Sequence, residues 1–89
     1  MAEKKVIKLF YLKQCPFCKR AIAYIEELKS EHEELRAVEI ELIEEEENAA
    51  LAAEYDYYYV PTLYLGDEKL HEGGIYKEEV EDILRRVLE

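Results

Sequence analysis

The stretch VIKLFYLKQCPFCKRAIAYIEELK, Val6 to Lys29, changes its hydrophobic period in the middle. Val6-Ile7-Lys8-Leu9-Phe10-Tyr11 is almost continuously apolar, the pattern of a central strand buried on both faces. From Pro16 onward the period becomes helical. Ala21, Ile22, Ile25 and Leu28 recur at three- and four-residue spacing, which predicts an amphipathic helix to about Glu33. Pro16 suits the first turn of that helix, where its missing N–H costs nothing. Both cysteines of the chain, Cys15 and Cys18, fall at the junction, two residues apart.

The same reading extends to the C-terminus. Val38-Glu39-Ile40-Glu41-Leu42 alternates and predicts a strand with one solvated face. Glu44-Glu45-Glu46-Glu47 reads as a solvated first helical turn favoured by the macrodipole. Asn48 to Glu54 is a short, strong helix former. Val60-Pro61-Thr62-Leu63-Tyr64-Leu65 is strand-like, Gly66-Asp67 turns the chain, and Lys69-Leu70-His71-Glu72 pairs back as a hairpin. Gly73-Gly74 breaks it. Val80, Ile83, Leu84, Val87 and Leu88 mark a last helix, with Glu78 and Glu79 early and Arg85 and Arg86 late, as the helix dipole prefers. The order is β-α-β-α-β-β-α. Its first β-α-β implies a right-handed parallel crossover. The expectation is an α/β fold: one domain over residues 1–89 with a four-stranded mixed sheet and helices on both faces.

Composition narrows the function. Apolar residues make up 49% of 89 residues, enough for one core of modest stability. No apolar run approaches membrane-spanning length, and Met1 to Lys13 has no small-residue cleavage site. The expected location is therefore the cytoplasm. A net charge of −10 argues against nucleic acid as a partner, because phosphate binding needs a basic face. The charge is unevenly placed. Residues 1–25, which include Lys4, Lys5 and Lys8, hold six Lys or Arg and one acid, Glu3; residues 26–89 hold six basic and twenty-one acidic groups. The cysteines thus lie in the electropositive quarter, with Lys13, Lys19 and Arg20 closest in sequence, and a cationic surround stabilises a thiolate.

Three roles compete for the cysteine pair. As a staple, so short a loop removes only about 2 kcal/mol of unfolded-state entropy before strain, and a reducing cytosol would not preserve the bond. As zinc ligands, the pair supplies two of four donors. The other candidates, His32 and His71, lack zinc-finger spacing: His32 reads as a helix-end residue, and His71 sits in a short strand among charged neighbours. No metal is expected within one chain, while a cluster shared between two chains stays open. As a redox pair, Cys15 at the helix start meets unpaired N–H groups and the positive dipole end. Cys18 lies one turn further in, less exposed and close enough to bond to Cys15. A Cys-x-x-Cys between the strand and helix of a β-α-β unit favours this third role.

At these residues the chain resembles the glutaredoxin branch of the thioredoxin-like family, over essentially its whole length. Cys15-Pro16-Phe17-Cys18 is similar to the dithiol glutaredoxin site rather than to the Trp-Cys-Gly-Pro-Cys of thioredoxins. Phe10-Tyr11 followed by Lys13 resembles the residues preceding that site, Val60-Pro61-Thr62 the family's cis-proline segment, and Gly73-Gly74 its diglycine. The resemblance implies a thioredoxin-like fold and a thiol–disulfide oxidoreductase with Cys15 as nucleophile and Cys18 as resolving thiol. Pro61 would be cis and lie against the cysteines. Tyr11, Lys13, Phe17, Val60, Pro61, Gly73 and Gly74 would line the site for glutathione or substrate. Implied partners are disulfide-containing proteins, with glutathione as co-substrate or a thioredoxin-reductase-type flavoprotein as reductant, acting on a monomer. The alternative is an iron–sulfur carrier bridged by Cys15 of two chains.

Two departures bear on glutathione. Only Gln14 separates Lys13 from Cys15, one residue fewer than in many glutaredoxins. Ile75-Tyr76-Lys77 stands where the family carries an acid that helps hold the glutamyl group. Tyr55, Tyr57, Tyr58 and Tyr59 lead directly into Val60-Pro61. Four tyrosines in five positions cannot all face one core, so they either cover the second helix or line a substrate surface.

Overall fold

The computed structural model describes residues 5–89; Lys4 and the other residues of the N-terminal quarter before Lys5 lie outside it. Its elements are β1 (Val6–Tyr11), α1 (Pro16–Glu31), a 3-10 helix (Glu33–Ala37), β2 (Glu39–Glu44), α2 (Ala49–Ala52), β3 (Thr62–Leu65), β4 (Glu68–Glu72) and α3 (Lys77–Leu88). They form one four-stranded sheet in the order β2-β1-β3-β4. β1 is central, parallel to β2 and antiparallel to β3, and β3 pairs antiparallel with β4. That position explains the continuous apolar run: each face of β1 has its own core.

On one face Ile7, Leu9 and Leu63 meet Ile25 and Leu28 of α1, Leu35 of the 3-10 helix, and Val80, Ile83, Leu84 and Val87 of α3. Each fully buried Leu contributes about 1.5–3 kcal/mol relative to exposure, so this face carries most of the fold. On the other face Phe10, Ile43, Ala52 and Tyr64 form a smaller cluster. Because α2 is a single turn, Tyr55 and Tyr57 complete its cover, packed on Phe10 at ring separations of 4.8 and 5.1 Å.

Several boundaries differ from the sequence-based expectation, each for a tertiary reason. α1 stops at Glu31, where His32 turns extended and caps the Leu28 carbonyl. The following 3-10 turn drives Leu35 into the core, fully buried, and Arg36 Nε donates to the Lys29 carbonyl. β2 begins at Glu39 and runs to Glu44, so the four-glutamate run is not a solvated helical turn. Glu44 ends a strand and is buried, its carboxylate accepting the Glu47 N–H at 2.9 Å and the Lys13 N–H at 3.4 Å. α2 is shorter than the expected Asn48–Glu54, and β3 starts after Pro61. The edge strand β2 leaves Leu42 about half exposed, and Leu88 is 41% exposed rather than buried with its helix. The hairpin turns at Gly66, φ +61°, as a two-residue loop between Leu65 and Glu68. Its register slips between Leu63 and Tyr64.

Candidate functional site

The carboxyl end of β1 delivers the chain into α1 through Leu12, Lys13 and Gln14. Cys15 N–H closes this turn on the Leu12 carbonyl at 3.2 Å. Cys15 is the N-cap of α1, in extended conformation, and Pro16 takes the first helical position. The Cys15 Sγ accepts the Cys18 N–H at 3.2 Å, so the sulfur occupies the place where a serine or aspartate oxygen usually satisfies an orphan helix donor. Cys15 is partly exposed and Cys18 fully buried, and the two are unbonded. Burial pushes the Cys18 thiol up to about 12, with its hydrogen bond to Cys15 and the Cys15 charge acting the same way.

Facing the pair is the segment before β3. The Val60–Pro61 peptide is cis, and the Cys15 Sγ–H donates to the Val60 carbonyl at 3.8 Å. Pro61 is fully buried. Its carbonyl accepts the Gly73 N–H at 2.8 Å, which ties the diglycine to the proline. Gly73 has φ +91°, a conformation open to glycine and strained for other residues. Gly74 lies so close to the Phe17 ring that a Cβ there would stand 3.3 Å from Cδ1. Phe17 is 54% exposed, and the Arg20 guanidinium sits 5.4 Å from its ring centroid. Phe17, Arg20, Tyr24, Gly74, Ile75 and Tyr76 line a groove of about 230 Å³ beside the thiols.

The structure therefore brings together Cys15, Cys18, Phe17, Val60, Pro61, Gly73 and Gly74. Tyr11 and Lys13 have other contacts. Tyr11 packs against the larger core, and its carbonyl accepts the Glu45 N–H. Lys13 Nζ bonds to Glu47 at 2.8 Å, and that carboxylate raises its pKa. Two cations of the electropositive quarter seen in the sequence are thus paired with carboxylates of the β2 side. β2 runs parallel to β1, which also sets Lys8 against Glu41 at 3.3 Å. Among the described residues, no three His, Cys, Asp or Glu side chains group so as to hold a metal ion. His32 is a helix cap, and His71 Nε2 bonds to the Gly74 carbonyl at 2.9 Å.

Sequence reasoning missed the residues that brace this end of the sheet. Glu72 Oε2 accepts the N–H groups of Tyr58 and Tyr59 at 2.6 and 3.0 Å, while its other oxygen takes the Lys69 ammonium at 2.7 Å. Lys69 and the two amides hold the Glu72 carboxyl down at about 2. The Thr62 hydroxyl donates to the Tyr59 carbonyl. The tyrosine run was a signal; nothing in the local pattern singled out Glu72. No described helix is long and apolar enough to cross a membrane.

Solved structures with the same architecture include several thioredoxins. A mutant thioredoxin from Halobacterium salinarum NRC-1 is 25% identical at a TM-score of 0.73, covering 98% of this chain and 77% of that one. The thioredoxin of Fasciola hepatica is 19% identical at 0.72, covering 93% and 80%. The germline-specific thioredoxin Deadhead of Drosophila melanogaster is 15% identical at 0.70, again covering 93% and 80%. A sequence search of curated proteins matches none. The family model for glutaredoxin, however, matches residues 7–70. That span runs from the strand before Cys15 through the cis proline into β4, and it places the thioredoxin-like fold in one branch: the chain belongs to the glutaredoxin family.

Proposed function

We propose that this protein is a thiol–disulfide oxidoreductase that reduces protein disulfides through Cys15 and Cys18, acting as a monomer. The observation that carries the reading is the placement of the Cys15 sulfur. It caps a helix N-terminus, accepts the Cys18 N–H, and faces the carbonyl next to a cis proline, with a second thiol buried beneath it.

In the first step the Cys15 thiolate attacks one sulfur of the substrate disulfide. A new S–S bond forms, the substrate S–S bond breaks, and the leaving thiolate takes a proton from water. In the second step the Cys18 thiol gives up its proton to water and its sulfur attacks Cys15. The mixed disulfide breaks, the second substrate thiolate leaves and is protonated, and a Cys15–Cys18 disulfide remains. Two electrons have passed to the substrate. The Cys18 thiol resists ionisation in the resting state by burial first, and then through its bond to Cys15 and the Cys15 charge. Forming the mixed disulfide removes that charge, so Cys18 becomes more acidic at the stage where its attack is required. Two glutathione molecules or a flavoprotein reductase would return the pair to dithiol.

The groove supports a preference against glutathione mixed disulfides. None of its lining residues is acidic. Tyr76 is 74% exposed at its rim, and its N–H is already bonded to Glu79 Oε1 at 3.0 Å. A ligand ammonium group there lacks a charge-assisted bond, worth about 1.5–3 kcal/mol or roughly ten- to a hundredfold in affinity. Turnover of a protein disulfide and of a glutathionylated peptide, compared on the native protein and on Tyr76→Asp, tests this. Poor glutathionylated turnover, with a lower Michaelis constant in the variant, is expected. Efficient native turnover, or no effect of Tyr76→Asp, would show that the glutamyl group binds elsewhere.

A further inference from the structure

The tyrosine run before Val60 splits into two halves. Tyr55 and Tyr57 are absorbed by the fold: Tyr55 packs at a tilt on Phe10 and edge-on to Tyr64, and the Tyr57 hydroxyl donates to Glu45 at 2.7 Å. Tyr58 and Tyr59 are not, being 87% and 70% exposed. Their exposure is imposed by the backbone. One carboxylate oxygen of Glu72 holds both amides, Lys69 fixes that carboxylate from the other side, and the buried Thr62 hydroxyl holds the Tyr59 carbonyl. Two large rings are therefore presented to solvent on a segment that is already ordered. Rigid exposed aromatics add nothing to folding, but they offer contact area at little entropic cost on binding.

Their position is specific. Tyr59 directly precedes Val60, whose carbonyl faces the Cys15 sulfur. The Tyr59 Cβ lies 3.9 Å from where a Gly73 Cβ would stand, and Gly74 abuts Phe17. The hydrogen-bonded pair Pro61 and Gly73 thus separates two exposed aromatic groups, Tyr58 with Tyr59 and Phe17 with Tyr76. Any substrate must bring a sulfur to Cys15, which faces the Val60 carbonyl next to Tyr59 and stands two residues before Phe17. A small disulfide offers little surface beyond its two sulfur atoms. An extended polypeptide, advancing about 3.3–3.6 Å per residue, lays flanking side chains on both aromatic groups.

Resting on the oxidoreductase reading, we propose that Tyr58 and Tyr59 form a docking platform for a polypeptide substrate, gripping apolar or aromatic side chains on one side of its reacting cysteine. The substrate class is therefore an extended protein segment carrying a disulfide next to apolar residues. The other arm of the same segment lies over Phe17 and Tyr76.

The test uses two probes: the disulfide-linked dimer of a nine-residue peptide with leucines flanking a central cysteine, and bis(2-hydroxyethyl) disulfide. For Tyr58→Ser/Tyr59→Ser, kcat/KM for the peptide relative to the small disulfide should fall about tenfold, through KM rather than kcat, as expected for two lost aromatic contacts. Tyr58→Phe/Tyr59→Phe should restore the ratio. An unchanged ratio, or a loss carried by kcat, overturns the platform and leaves the oxidoreductase reading intact. If the native protein reduces neither probe, the oxidoreductase reading falls and the platform with it. Titrating the native protein with the peptide carrying serine for cysteine gives a readout that needs no variant. Shifts in the Tyr58 and Tyr59 ring resonances support the proposal, and saturable binding that leaves them unmoved overturns it.

Discussion

Limiting iodoacetamide, added to the native dithiol protein at pH 7, should label Cys15 and leave Cys18 almost untouched. The magnitude follows from the environment of Cys18. An unperturbed thiol of pKa about 8.5 is roughly 3% thiolate at pH 7. Burial pushes the Cys18 thiol up to about 12, so at pH 7 its thiolate fraction is far below that of an unperturbed thiol. Its side chain also has no exposed surface, so reagent reaches it only when the N-terminal turn of α1 opens. Cys15 is partly exposed at the helix start. Peptide mapping by mass spectrometry after a short reaction should therefore show label on Cys15 in at least roughly a hundredfold excess, from the exposure of one sulfur and the burial of the other. In concentrated urea the two sites should label alike, which separates environment from intrinsic reactivity. Raising the pH to 9 should narrow the gap without closing it, because burial persists. Comparable native labelling of both cysteines, or faster labelling of Cys18, would refute the assignment of attacking and resolving thiols. In parallel, Cys18→Ser should accumulate a mixed disulfide at Cys15, and Cys15→Ser should form none.

Gly73→Ala should lower unfolding stability by about 1–3 kcal/mol in urea titration, because φ +91° is strained for any side chain. Gly74→Ala should cost less despite its tighter contact, since the Cβ meets only the movable rim of the half-exposed Phe17 ring. Glu72→Gln should destabilise the protein at neutral pH and progressively less in acid. The folded carboxyl, at about 2, lies below its ordinary 4.5. Its contribution is therefore complete above about 4.5 and is lost as pH falls through about 2. Paired unfolding curves for native protein and variant between pH 2 and 7 should converge at the acid end, and a constant difference would show that Glu72 acts by packing rather than charge.

The parts of the fold that were legible in the sequence are those in which local pattern and tertiary demand coincide. β1 reads as central because both faces are buried, and α3 because its apolar stripe meets the core at nearly every position. The Gly66-Asp67 turn needs only local chemistry. The errors lie where a distant group decides. Glutamate in a run favours a helix start, yet Glu44 ends a strand because the Lys13 and Glu47 amides need an acceptor. Lys13 looked like a cation for the thiolate, yet parallel pairing of β1 with β2 hands it to Glu47. The 3-10 helix has no signature beyond Leu35, a single apolar residue in a polar stretch. Of the site, the cysteines, Pro61 and the diglycine were readable as family pattern. Glu72 was not, because its role depends on the register that sets it opposite Thr62 and on the loop before Val60.

The acidity of the chain and the rigidity of its site have a common origin. Loops usually satisfy their backbone donors with short Asn, Asp or Ser side chains beside them, or adapt through glycine. This sequence has three glycines, one serine and one asparagine. Glutamate takes over the task by reaching across the fold. Glu44 collects amides from the loop before Cys15 and from the turn after β2, Glu72 collects those before the cis proline, and Glu79 caps the start of α3 beside the groove. Each loop that frames the thiols is thereby fastened to a strand or helix by a carboxylate. The glutamates that look in the sequence like a solvated, repelling surface include the anchors of the site. Fastened in this way, the frame keeps the cis proline and the exposed Tyr58 and Tyr59 in register with one partly exposed sulfur. The proposed disulfide exchange would then require little rearrangement beyond the approach of Cys18 to Cys15.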